Sequence, residues 1–136
     1  MADPVTIKVS SDADVVRARQ AARELVNGLG FSLTDLTRIA TAISEVGRNI
    51  ITFAGQGKVI LSVEVDGSRP ALVVQAIDEG PGIEDLREAM KDGYATGEGL
   101  GLGLPGARRL MDEFAISSEA GRGTQVTMKK FAPDHA

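Results

Sequence analysis

The richest source of chemistry in this 136-residue chain is its glycines, together with a few carboxylates and amides set around them. Ten of its sixteen glycines fall between Gly80 and Gly123, most densely in Gly99-Leu-Gly101-Leu-Gly103-Leu-Pro-Gly106. Glycine lets a backbone approach a ligand closely, and successive N–H groups ahead of a helix start form a concave anion site. The same run satisfies G-x-G-x-x-G from Gly101 to Gly106, the pattern of dinucleotide-binding folds. Glycine-rich stretches are also simply loops.

Three further segments carry groups that suit a bound nucleotide. Glu45 and Asn49 are spaced i,i+4 and share one helix face, at the rim of an apolar stripe. An amide oxygen can complete a Mg²⁺ shell already supplied with phosphates and water, and a carboxylate one turn away can position or deprotonate an attacking hydroxyl. Two solvated helix residues would have the same spacing. Asp78-Glu-Gly80-Pro-Gly82 ends a strand; a carboxylate there can accept from the exocyclic amine of adenine, with glycines leaving room for the flat ring. Plain turns favour the same residue types. Gly121-Arg-Gly123-Thr124 reads first as a hairpin turn.

The elements that must position these groups follow from periodicity. Val5, Ile7 and Val9 alternate with polar residues as in a strand. Ser11 to Asp14 has the form of a capping box opening a helix that ends near Gly28 and Gly30, and Ser32 to Asp35 opens a second helix reaching about Ala54. Leu36, Ile39, Ile43, Val46, Ile50 and Phe53 give that helix one buried stripe. Gly47 sits inside it at a cost of roughly 1 kcal/mol relative to alanine, for close packing or for ligand approach. Strands are expected at Val59–Val65 and Leu72–Ala76, joined through Asp66–Pro70.

A short helix is expected from Ile83 to about Lys91, then the glycine run. Pro105 suits the first turn of the next helix, with Leu104, Ala107, Leu110, Met111 and Phe114 on its buried side. A last hairpin comprises Ala115–Glu119, a turn at Ala120–Gly123, and Thr124–Phe131. The order β-α-α-β-β-α-α-β-β is not the alternation of a parallel sheet. It predicts an α+β two-layer sandwich, with a mixed, mostly antiparallel sheet covered on one face by helices. No domain boundary or repeat interrupts residues 1–136.

This order decides between the glycine readings. A dinucleotide fingerprint must follow a hydrophobic strand and open a βαβ crossover. Here the loop-like Gly93-Tyr-Ala-Thr-Gly-Glu-Gly-Leu100 precedes Gly101, and the following helix leads into a hairpin. No G-x-x-x-x-G-K-[ST] occurs either. The phosphate-loop reading survives.

Composition bounds the rest. With no cysteine, disulfides and thiolate metal sites are excluded, and the only histidine, His135, is next to the C-terminus. The net charge of −4, without a basic block, argues against nucleic acid as a partner, as do four Phe, one Tyr and no Trp for base stacking. No apolar stretch is long enough to cross a membrane and no leader-like segment opens the chain, so a soluble cytoplasmic protein is expected.

In their order, the four segments resemble the N, G1, G2 and G3 boxes of the GHKL (Bergerat-fold) ATPases, and the resemblance spans nearly the whole chain. It implies ATP and Mg²⁺ as cofactors. Asn49 would bind Mg²⁺ and Asp78 would recognise adenine. Gly80 and Gly82 would shape the adenine pocket, Gly99, Gly101 and Gly103 would cradle phosphates, and Thr124 would support the Asp78–adenine contact. Ile83, Leu100, Leu102 and Leu104 belong to the same binding boxes. Within the superfamily, Ala42–Ile50, Asp78–Ile83 and Gly99–Phe114 are similar to the RsbT-like serine/threonine kinases, relatives of the anti-sigma-factor kinases.

That likeness implies phosphorylation of a serine or threonine on a STAS-domain antagonist, with Glu45 as the catalytic carboxylate. Release from the antagonist would let the kinase activate a serine phosphatase of a bacterial stress pathway. Arg17 and Gln20 fall in this subfamily's first helix, without an assigned role. Only sixteen residues separate Gly82 from Gly99, so any lid over ATP is short. Two alternatives fit the same residues: a nucleotide-dependent protein-binding module, and an anti-sigma factor that binds a sigma subunit directly.

Overall fold

The computed structural model describes residues 3–67, 69–82 and 103–133. The elements are β1 (Val5–Val9), α1 (Asp12–Leu25), α2 (Leu33–Ala54), β2 (Gly57–Asp66), β3 (Arg69–Asp78), α3 (Gly103–Leu110), β4 (Glu113–Glu119) and β5 (Gly123–Phe131). The helix expected from Ile83 to Lys91 lies outside the described residues, as do Ile83, Gly99, Leu100, Gly101 and Leu102.

The strands form one sheet in the order β1-β2-β3-β5-β4. All four pairings among the described residues are antiparallel, so the sheet is simpler than the mixed one expected. Register puts Leu61 beside Val74, and Val74 beside Met128, on one face. This face buries Val59, Leu61, Leu72, Val74, Ala76, Val126 and Met128 against the helices. From α2 the core receives Ile39, Ala42, Ile43, Val46 and Ile50, the stripe read from the sequence.

The α1 side is built from small residues, with Ala18 and Ala22 fully buried. A Cβ at Gly47 would come within 2.9 Å of the Val15 Cγ2. Gly47 therefore serves the close approach of α1 to α2. Ligand approach is not what it provides.

Helix starts only partly follow the expected caps. Ser32 Oγ accepts from the Asp35 N–H at 3.0 Å, as its spacing suggested. Ser11 makes no side-chain cap bond. Asp14 reaches one residue further back and accepts from the Ser10 N–H at 2.9 Å and the Ser10 hydroxyl at 3.2 Å. The backbone bond from Ser10, helped by its hydroxyl and by Arg17, holds the Asp14 carboxyl below its usual range.

The helix α3 is shorter than its apolar spacing predicts. It ends at Leu110, and Phe114 lies in β4 opposite Met128. Asp112 turns the chain into the sheet: its N–H donates to Lys129 O at 2.9 Å, and its Oδ2 accepts from the Phe131 N–H at 2.8 Å. No helix of the described residues is long and apolar enough to cross a membrane.

A buried lysine shares the core-facing side of the sheet with Asp78. Lys130, paired with Leu72 across β3–β5, is only 7% exposed. Its Nζ donates to Leu110 O at 2.9 Å and lies 3.5 Å from Asp112 Oδ1 and 3.8 Å from Asp35 Oδ1. An ammonium suits the carboxyl end of a helix, where carbonyls lack partners. Lys130 thereby ties β5 to the end of α3 and the start of α2. Lys130→Met is expected to lower stability by about 1–3 kcal/mol, the range for losing a charge-assisted bond to a buried acceptor. Urea unfolding checks this: the midpoint should fall with the slope unchanged.

Candidate nucleotide-binding site

Glu45 is the best-connected group of the site. It is 7% exposed on α2, and its Oε2 accepts from the Gly103 N–H at 2.7 Å across 58 residues of sequence. Its Oε1 is paired with Arg48 Nη1 at 3.1 Å. A buried carboxylate must be compensated, and these two donors compensate it. Gly103 opens α3 with φ +65°, a conformation that glycine adopts freely, so the described end of the glycine run points its amide at α2. Leu104 follows it, with its side chain in the core.

Asn49 lies one turn after Glu45 and is 6% exposed. Among the described residues its side-chain amide has no hydrogen-bond partner. No cluster of three or more His, Asp or Glu among the described residues can hold a metal. A cation at Asn49 would therefore take most of its oxygens from a bound nucleotide and water, which fits the undemanding protein shell of Mg²⁺.

Asp78 is the last residue of β3 and is also buried. Its Oδ1 accepts from the Gly80 N–H at 2.9 Å, which tightens the turn and fixes the carboxylate. The neighbouring strands leave little room around it. Gly57 of β2 is directly opposite Asp78, and a Cβ there would meet the Ile77 carbonyl. A Cβ on Gly123 of β5 would run into the Asp78 carbonyl.

Register also sets Thr124 opposite Asp78 on β5 and Ser118 opposite Thr124 on β4. The Thr124 and Ser118 hydroxyls are 2.8 Å apart, so a polar row crosses three strands at the end of the sheet.

Gly80 and Gly82 are required by protein contacts. A Cβ at Gly80 would strike Ala54, the last residue of α2, and one at Gly82 would strike the Glu119 carbonyl. The Gly121 N–H donates to Pro81 O at 2.7 Å, closing the β4–β5 turn over this segment. Gly57, Ser118 and Arg48 also line this region. Of the three, only Arg48 has a usable signal in the sequence, its place between Glu45 and Asn49.

α2 connects the two halves. Gly80 touches its carboxyl end at Ala54, while Glu45 holds Gly103 nine residues earlier. At 1.5 Å per residue the separation along the axis is roughly 13 Å. Beside Glu45 an open cleft of about 400 Å³ runs between α1 and α2, with Arg19, Arg23, Thr37, Ser44 and Arg48 on its walls. Arg19 donates to Ser44 Oγ there at 3.1 Å.

Residues 9–130 match the histidine kinase-like ATPase domain family. The chain is 44% identical over 131 residues to the serine/threonine-protein kinase RsbT of Bacillus subtilis, covering 96% of this chain and 98% of that one. An anti-sigma F factor of Thermoanaerobacter sp. is 31% identical over 118 residues, covering 84% of this chain and 82% of the relative. Among solved structures, the RsbU and RsbW domains of Rv1364c from Mycobacterium tuberculosis superpose with a TM-score of 0.66 at 22% identity. The match covers 97% of this chain and 34% of that longer one. The catalytic domain of histidine kinase ThkA superposes at 0.54 with 15% identity, covering 94% and 96%. These two likenesses concern the fold.

The turn glycines of the site separate two kinds of constraint. Gly121 has φ +81° with open space where a Cβ would point, whereas Gly123 has φ +113° and faces the Asp78 backbone. Gly121→Ala is expected to cost about 1 kcal/mol from backbone strain alone, and Gly123→Ala about 3 kcal/mol or more from strain plus overpacking. Equal urea midpoints for the two variants would contradict the close approach of β5 to Asp78.

Proposed function

The chain belongs to the histidine kinase-like ATPase domain family and is an ATP-using protein serine/threonine kinase. On that premise we propose that ATP lies along α2, with its base at Asp78 and its phosphates at Gly103. The observation that carries this reading is the common scaffold. One helix contacts the Asp78–Gly82 segment at Ala54 and holds the amino end of α3 through Glu45.

Asp78 accepts from the exocyclic amine of adenine through the carboxylate that Gly80 fixes, and Thr124, its cross-strand neighbour, supports that contact. The turn at Gly80 and Gly82 bounds the base. Gly103, with Gly99 and Gly101 before it in sequence, presents backbone amides to the phosphates. The Asn49 amide oxygen, otherwise unused among the described residues, fits a Mg²⁺ shared with those phosphates. When bound, that ion neutralises the charge that develops during transfer.

Glu45 orients the acceptor hydroxyl and takes its proton. The acceptor oxygen forms the new bond to the γ-phosphorus as the bond to the bridging oxygen of ADP breaks. Loop amides and the helix start stabilise the charge left on the leaving phosphate.

We propose that the acceptor is a serine or threonine of a STAS-domain antagonist, and that release from it frees the kinase to activate a serine phosphatase. The cleft between α1 and α2 gives an acceptor segment a route to Glu45. The similarity to an anti-sigma F factor supports a second reading, in which the chain also binds a sigma factor.

Incubation with Mg-ATP and a STAS-domain protein, followed by mass spectrometry, should show one phosphorylated serine or threonine on that protein. Transfer at an unchanged rate by Glu45→Ala would remove Glu45 from the reaction; a fall of about 10²–10⁴-fold with nucleotide still bound is expected for a lost general base. Asp78→Asn should weaken ATP binding about 10–100-fold, as for the loss of a charged acceptor. Calorimetry reads that loss directly.

A further inference from the structure

Glu45 has a second job that its place as a base does not require. Both carboxylate oxygens are already engaged, one by the Gly103 N–H at 2.7 Å and one by Arg48 at 3.1 Å. A helix-start amide and a guanidinium are the donors that a phosphate group also takes. Resting on the kinase reading above, we propose that Glu45 is a tethered stand-in for phosphate. Its carboxylate holds the amino end of α3 until an arriving nucleotide phosphate takes the Gly103 amide, and this exchange frees Glu45 to receive the acceptor's proton.

The geometry favours exchange over sharing. Gly103 has a single N–H, and two anions at hydrogen-bond distance from it would also face each other, which is strongly unfavourable. A phosphate approaching along α2 meets Asn49 one turn before Glu45, and the Asn49 amide is without a partner among the described residues. Arg48 is half exposed on the same face and can follow either anion.

The far end of α3 stays anchored, because Lys130 donates to Leu110 O at 2.9 Å. The exchange is thus a side-chain movement of Glu45 that leaves α3 in place. It also links two steps: while no phosphate is bound, both oxygens of the base stay committed to donors.

The test compares MgADP with adenosine, which lacks phosphate, on the full chain and on Glu45→Gln. Glutamine fits the same space but offers Gly103 an uncharged acceptor, roughly half as strong. MgADP should bind Glu45→Gln about tenfold tighter than the parent protein, equivalent to about 1.4 kcal/mol, while adenosine binds both alike. Equal gains for both ligands, or none for MgADP, would overturn the exchange.

A second measurement needs no variant. The Gly103 amide and Glu45 Cδ resonances of the parent protein should both move on adding MgADP and stay put with adenosine. Binding of MgADP with a static Glu45 resonance would overturn the exchange alone. If neither ligand bound, the nucleotide reading beneath it would fall as well.

Discussion

A carboxylate buried to 7% exposure cannot be left without donors, and the way Glu45 meets that need organises the site. Its Oε2 draws the first amide of α3 onto α2. This bond joins two segments far apart in sequence and fixes Gly103, where α3 begins. Lys130 completes the arrangement at the other end of the same helix, through the Leu110 carbonyl. An eight-residue helix is too short to be stable alone. Here a negative charge meets its amino end and a positive charge its carboxyl end, each matching the helix dipole. The apolar residues Leu104 and Ala107 then seat it in the core.

The end of the sheet works by the absence of side chains. Asp78 is flanked by Gly57 on one strand and approached by Gly123 on the other, while Gly80 and Gly82 let two other backbones close in. Any side chain at these positions would collide with protein. The carboxylate is consequently held between strands at a fixed depth, with Thr124 and Ser118 continuing a polar row beside it.

Much of the fold was legible because its signals are local. The alternation in β1, β2 and β3, the apolar stripe of α2 and the Ser32 cap depend on residues within a turn or two of one another. Where neighbours elsewhere competed, local reasoning slipped. Phe114 fits the helical spacing of Leu104, Ala107 and Leu110, yet Asp112 bonds to the backbone of β5 and pulls it into β4. Ser11 and Asp14 have the spacing of a capping box, but Ser10 offers Asp14 both a backbone and a hydroxyl donor. The role of Gly47 could not be read from α2 at all, since the decisive atom belongs to Val15 on another helix.

The sequence by itself determined which segments hold residue types suited to nucleotide chemistry: Glu45 with Asn49, the strand end at Asp78, the glycine run and the Gly123–Thr124 turn. Residue type and short spacing are enough for that, because they fix helix faces and turn positions. Only the tertiary structure decided which of these groups touch. Strand register set Thr124 against Asp78, and helix packing brought Gly103 to Glu45 and Lys130 to Leu110. Such pairings depend on how buried surfaces of distant segments fit together, and no local spacing encodes that fit.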